Sequence, residues 1–251
     1  MKPRREYKNP PIVEALVEIQ FSPSQEWNPI IPFDFYGLIK SDYSGIPRDR
    51  MEMSTHIERE EGQSHTSVQT TEKLDRVQYP NEDGTKLVAL GANLLSVHVL
   101  KPYPGWVDFS KRISAAIDAY LAAAKPSGVL RVGLRYINKI EIPCEGTMNL
   151  QEYFTSPPSL AYTDYAHMSN FFMRLESQFN DAPIRMAQSF GSAGASEGNY
   201  GFLLDFDLFR SWSDSPLPCD QVVELISEMR DLERDVFESY ITESTREIFD
   251  A

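Results

Sequence analysis

Residues Val129 to Pro143 read VLRVGLRYINKIEIP, and this stretch near the middle of the chain decides the fold. Side chains on a strand alternate between two faces. One face carries Leu130, Val132, Leu134, Tyr136, Ile140 and Ile142, with Asn138 as its only amide. The other carries Arg131, Gly133, Arg135, Ile137, Lys139 and Glu141. One side is built for a core and the other presents a row of cations. A second stretch, Ile12 to Phe21 (IVEALVEIQF), mirrors it in charge. Val13, Ala15, Val17, Ile19 and Phe21 share one face; Glu14, Glu18 and Gln20 share the other with Ile12 and Leu16. The two carboxylates are spaced like the two arginines. The matched spacing predicts that the two strands are antiparallel neighbours, with Glu14 and Glu18 facing Arg131 and Arg135.

Working outward, 251 residues suffice for one large domain or two small ones. Hydrophobic content is 41% and charged content 24%, so an ordinary core can be built. The formal net charge of −13 disfavours nucleic acid and anionic membranes as partners. The two cysteines, Cys144 and Cys219, form no CxxC or Cys/His cluster of the kind a structural zinc needs. The basic N-terminus, MKPRREYKNPP, is not followed by the apolar run of a signal peptide. No apolar stretch approaches the ~20 residues that span a bilayer. The expectation is a cytoplasmic protein.

Residues 1–11 read as an extended arm, since Pro10-Pro11 fixes an extended entry. A short helix is expected near Phe33 to Tyr43, and strands over Met51–Glu60, Ser67–Tyr79, Thr85–Leu90 and Leu94–Leu100. Asn81-Glu82-Asp83-Gly84 reads as a hairpin turn. Trp106, Phe109, Ile113, Ile117 and Tyr120 form one helical stripe, stopped at Lys125-Pro126-Ser127-Gly128. After the central strand come a short helical stretch near Leu150–Phe154 and strands near Met168–Phe179, Ile184–Phe190 and Tyr200–Phe209. One long helix is expected from about Cys219 to Phe249, on a stripe of Val222, Ile226, Met229, Val236, Tyr240 and Ile248.

The element order is thus β-α-ββββ-α over 12–128 and β-α-βββ-α over 129–251. The simplest account is an internal duplication within one compact domain. The fold class is α+β: an antiparallel sheet, open and curved or barrel-like, with helices on one face and polar groups on the other.

The segments PPIVEALVEIQF, LGANLLSVHVLKPYPGW, VGLRYINKIEIP and FESYITESTREIF resemble a sporadically distributed bacterial family of uncharacterised proteins of about this length. The resemblance spans most of the chain. It implies no activity and carries over no catalytic residues. Its scattered distribution is compatible with a role in defence or genetic conflict. The element order is also similar to two architectures. One is the TATA-box-binding-protein-like fold. The other is that of the triphosphate tunnel metalloenzymes, which line a barrel with paired glutamates for metal and Arg/Lys for phosphates. The first strand here departs from the tunnel enzymes' ExExK pattern, since Glu14 and Glu18 are four residues apart and no lysine follows.

The candidate ligand-binding residues are therefore Glu14, Glu18, Arg131, Arg135, Lys139 and His98. Arginine's fork suits a small anionic ligand; the same charges also serve as a cross-strand ion-pair network. Asp205 and Asp207 share a strand face and form a candidate Mg²⁺ pair. The loop Gly191–Gly198 has no lysine and joins two strands, so a hairpin loop is expected rather than a phosphate cradle. Of His56, His65, His98 and His167, none forms HxxxH or HExxH, and only His98 falls on the polar face. No catalytic constellation emerges. The expected function is a non-enzymatic binding or interaction module with no cofactor, whose partner is a protein or a small anion. A second copy of the chain is a further candidate. The competing expectation is a divalent-metal-dependent phosphohydrolase.

Overall fold

The computed structural model describes residues 5–24, 27–59, 66–144, 146–160 and 168–250, with side chains for all of these except 52–74. The first four residues of the expected arm, Glu60, His65 and His167 lie outside the described residues, as does the side chain of His56.

The alternating stretches become strands: β1 (Ile12–Ser22), β2 (Arg48–Arg59), β3 (Thr66–Pro80), β4 (Lys86–Gly91), β5 (Leu94–Leu100), β6 (Gly128–Pro143), β7 (Phe172–Gln178), β8 (Arg185–Ala193) and β9 (Asn199–Ser211). The periodic stretches become helices: α1 (Ile31–Ile39), α2 (Trp106–Ala124), α3 (Val222–Tyr240) and α4 (Glu243–Asp250). All nine strands join one sheet in the order β2-β3-β4-β5-β1-β6-β9-β8-β7, and every pairing is antiparallel. The sheet is open, with β2 and β7 as its ends, so the barrel-like alternative does not form. From the centre outward the order is β1-β5-β4-β3-β2 on one side and β6-β9-β8-β7 on the other.

Alternation sorts the two faces as the pattern requires. Ala15, Val17, Ile19 and Phe21 of β1, Val132, Leu134 and Tyr136 of β6, and Phe202, Leu204, Phe206 and Leu208 of β9 are all buried. Each fully buried Val, Leu, Ile or Phe side chain contributes about 1.5–3 kcal/mol. Phe109, Ile113 and Ile117 of α2, and Val222, Ile226 and Met229 of α3, enter the same apolar cluster. Helix α2 packs against β5, and α3 against β6 and β9. The Tyr120 ring stacks on Phe21, centroids 4.2 Å apart. Asn138, the lone amide on the inner face of β6, satisfies itself by donating to the Leu204 carbonyl at 3.2 Å. Among the described residues, no helix is long and apolar enough to cross a membrane.

Three local expectations are corrected. Leu130 was placed on the core face, but Val129 is the fully buried residue there. Between β1 and β6 the register passes from Gln20↔Arg131 to Phe21↔Val129, so Leu130 is the extra residue of a bulge. Its carbonyl instead accepts from the Trp212 amide at 2.8 Å. Next, the helix near Leu150–Phe154 is a single 3₁₀ turn, Leu150–Glu152, capped by the Asn149 side chain. It does not match α1 in length.

Last, the long C-terminal helix is broken. Ile241 adopts an extended conformation (φ −109°, ψ 150°) and bridges Phe154 as a strand pair would. The Thr242 hydroxyl donates to the Glu152 carbonyl at 2.5 Å, and the Thr242 carbonyl accepts from Arg246 N, so Thr242 opens α4. Arg246 bridges the break, donating to the Glu238 carboxylate at 3.0 Å and its carbonyl at 2.6 Å. Apolar periodicity continues across 240–242, which is why the pattern read as one helix.

Candidate functional site

The charged face of the sheet carries all the residues singled out from the sequence. Strands β1 and β6 are antiparallel neighbours, as the charge pattern predicts. Glu18 meets Arg131 at 3.4 Å and also Arg76 of β3 at 3.2 Å. Glu14 does not meet Arg135. A bulge at Val13 leaves Glu14 opposite Ile137, and its carboxylate lies 2.8 Å from His98 Nδ1. That contact holds the Glu14 carboxyl below the ordinary glutamate range. His98 Nε2 lies 3.0 Å from the Ser96 hydroxyl. Arg135 turns instead to β9 and grips Asp205 with two bonds of 2.8 and 2.6 Å. Lys139 pairs with Glu141 at 2.7 Å. With the Ser196 hydroxyl, Lys139 lowers the Glu141 carboxyl to about 2. Asp207 sits near Arg131 and Arg135, yet burial raises its carboxyl above the usual aspartate range.

The structure therefore brings the candidates together on one face, but as pairs that satisfy each other. Both Asp205 oxygens, weighed as Mg²⁺ ligands, are taken by Arg135. Among the described residues, no group of three or more His, Cys, Asp and Glu side chains is placed to hold a metal ion. The open sheet also lacks the closed wall that the tunnel enzymes use.

The roomy cavity lies elsewhere. A cleft of about 550 Å³ opens between the arm (Arg5–Ile12), the start of α2 (Tyr103–Val107) and α3 (Arg230–Glu238), with Asn138 of β6 also lining it. Each wall follows from local sequence. Gly105, at φ 88°, supplies the positive φ that turns the chain into α2 and presents Trp106 at its first residue. Tyr103 reaches inward, and its hydroxyl meets that of Tyr136 at 3.1 Å. The arm is fastened to the C-terminal helices. Asn9 N donates to the Phe249 carbonyl at 2.9 Å, and the Tyr7 hydroxyl donates to Glu238 at 2.8 Å. Arg5 pairs with Asp250 at 2.6 Å and with Glu243.

At the inner wall, one turn of α3 sets Arg230 beside Glu233 at 2.9 Å. Their side chains are only 12% and 4% exposed. The Arg230 guanidinium lies 4.9 Å from the Tyr136 ring centre and 5.9 Å from that of Trp106. Such contacts attract a cation to the ring face. Its Nε is buried without an acceptor. Burial pushes the Glu233 carboxyl up to about 7, against the pull of Arg230 and Arg234. Desolvation disfavours the charged form, and here it outweighs the nearby cations. The cleft thus combines a fixed cation, a carboxyl that exchanges its proton near neutrality, and flat aromatic walls.

Reading the sequence missed this site, although one signal was present. Met229 and Phe237 are buried, and Glu233 lies four residues from each. A glutamate in the middle of an apolar stripe is either paired or perturbed. The Tyr103 and Trp106 wall gave no comparable signal, since it lies more than a hundred residues away in the chain.

No family model and no curated protein matches the chain. Among solved structures, it is similar to the one described as the crystal structure of the di-domain ARO/CYC StfQ from the steffimycin biosynthetic pathway. Sequence identity is 10%, over 95% of this chain and 98% of that one, with a TM-score of 0.19. A likeness of that size carries no argument about what this chain does.

Proposed function

We propose that the protein is a non-catalytic binding module for a small anionic ligand, and that the cleft between the arm, α2 and α3 is its site. The observation that carries this reading is Glu233, buried on the cleft wall beside Arg230 with its carboxyl titrating near 7. A pocket of metabolite size with few polar groups and a perturbed carboxyl is the usual form of a ligand site. Trp106, Tyr103 and Tyr7 offer flat apolar contact, and Arg230 offers the charge. An anion bound beside Arg230 favours the neutral form of Glu233, so binding takes up a proton. The charged sheet face supports a ligand less, because its cations already hold carboxylates. The mirrored outward order of the two flanks supports an internal duplication as the origin of the frame.

The test is calorimetry with a panel of carboxylates and phosphate esters at pH 6 and pH 8, in buffers of different ionisation enthalpy. The expected result is a ligand bound more tightly at pH 6, with proton uptake, and lost on Trp106→Ala. Affinity that is unchanged by pH and by Trp106→Ala removes the cleft from the account. Ligand turnover abolished by Glu233→Gln makes the protein an enzyme instead.

A further inference from the structure

A different part of the molecule supports a second inference, independent of the cleft. We propose that β7 is the pairing edge of a symmetric dimer. A second copy's β7 lies antiparallel to it, and the twofold axis passes at Leu175.

Strand β7 ends the sheet, and among the described residues its pairing partner is β8 alone. The phase of its hydrogen bonds is fixed by two contacts: Phe179 N donates to the Ile184 carbonyl, and Ser192 N donates to the Phe171 carbonyl, each at 3.0 Å. In an antiparallel pair, the residues that exchange bonds with one neighbour alternate with those that face away. The register then assigns Met173, Leu175 and Ser177 to β8. The amides and carbonyls of Phe172, Arg174, Glu176 and Gln178 point off the edge.

Those four residues must exchange bonds across any twofold axis, so the axis falls at a residue rather than between two. An axis at Arg174 sets arginine against arginine, and one at Glu176 sets glutamate against glutamate. At Leu175, Arg174 lies opposite Glu176 of the second copy, twice over, and Phe172 lies opposite Gln178. Opposite charges directly across a strand pair are favourable, and like charges are not. The self-complementarity of an isologous interface therefore selects one register.

The faces agree with this pairing. Arg174 stands in the row of Ser189 and Asp205, so the inter-copy pairs continue the charged face. Leu175 stands in the row of Gln188, Phe206 and Tyr136, on the side of the core. It is 48% exposed where that core runs out at the edge, and a second Leu175 would cover it. Charges on an edge strand commonly serve to prevent pairing. Here Arg174 and Glu176 already meet at 3.1 Å within one strand, and the dimer exchanges that contact for two across the axis.

The experiment is sedimentation of the full chain over a range of concentrations, with Arg174→Glu, Glu176→Arg and the double reversal. The wild type is expected to dimerise. Each single reversal should weaken the dimer at least about tenfold, because it sets like charges opposite each other, and the double reversal should restore it. Unfolding curves check that the variants, which alter exposed side chains, remain folded. A wild type that stays monomeric at every soluble concentration overturns the proposal. So does a dimer indifferent to the single reversals, or one that the double reversal fails to rescue.

Discussion

Two arginine–carboxylate pairs in this molecule have the same chemistry and different fates. Arg135 and Asp205 sit on the charged face of the sheet. Both carboxylate oxygens are bonded, and the Arg135 side chain is 41% exposed, so water completes its hydrogen bonding. Arg230 and Glu233 sit between α3 and the sheet. One bond joins them, Arg230 Nε lacks an acceptor, and both side chains are nearly sealed from water. What separates them is desolvation. A satisfied pair with access to water holds strands in order. A dry, half-satisfied pair stores free energy that a ligand can release.

The strongest way to break the contrast is Arg230→Met at pH 8. It removes the partner of a buried carboxyl, which must then stay charged alone or take up a proton, and the expected loss is about 3–5 kcal/mol in urea unfolding. Replacing both members, with Arg230→Met and Glu233→Leu together, should lose less than the single change. A double variant that is worse than the single would mean the pair stabilises the fold outright.

The next largest effect is on pH dependence. Folding raises the Glu233 carboxyl from its ordinary 4.5 to about 7. Below about pH 4.5 the group is neutral folded or unfolded, and no penalty exists. As pH rises from there to 7, the unfolded chain ionises and the folded one resists, so stability falls. Above 7 the full penalty stands. Relative to Glu233→Gln, the wild type should lose on the order of 3 kcal/mol between pH 4.5 and pH 8. Parallel pH series of unfolding curves check this, since other carboxylates cancel in the difference.

Arg135→Met sharpens the comparison from the other side. It should cost about 1–3 kcal/mol, because Asp205 is left as a desolvated acceptor but can still recruit water. The smallest effect is expected at Glu18, shared between Arg76 and Arg131 at longer distances. Glu18→Gln should cost about 0.2–1 kcal/mol, and less at high salt. A double-mutant cycle with Arg131→Met measures the pair directly, and strict additivity would mean the contact contributes nothing.

Sequence reading worked where one residue's environment depends on near neighbours. Alternation in β1, β6 and β9 announced both faces, because a strand's period needs no knowledge of its partners. The central pairing of β1 with β6 was legible in the matched charges. The partner choices on that face were not. Two bulges, at Val13 and Leu130, shift the register, and Asp205 of β9 outcompetes Glu14 for Arg135. The break at Ile241 escaped because its cause, the bridge to Phe154, lies in another part of the chain. The cleft escaped for the same reason: its walls come from three separated segments. Only the out-of-place Glu233 betrayed it.

The fastening of the arm to α4 has a kinetic consequence. The Arg5–Asp250 pair closes a loop of nearly the whole chain, with a sequence separation of 245. The fold has already brought the two ends together, and the ion pairs that hold the arm are exposed or half-buried, so the arm opens before the core does. The Asn9 amide, bonded to the Phe249 carbonyl, is therefore a natural reporter of cleft opening. Its hydrogen exchange should run far faster than that of Val97 or Leu134, whose side chains are fully buried in the sheet core. It should slow when a ligand fills the cleft, which makes a single amide an assay for occupancy before any ligand has been identified.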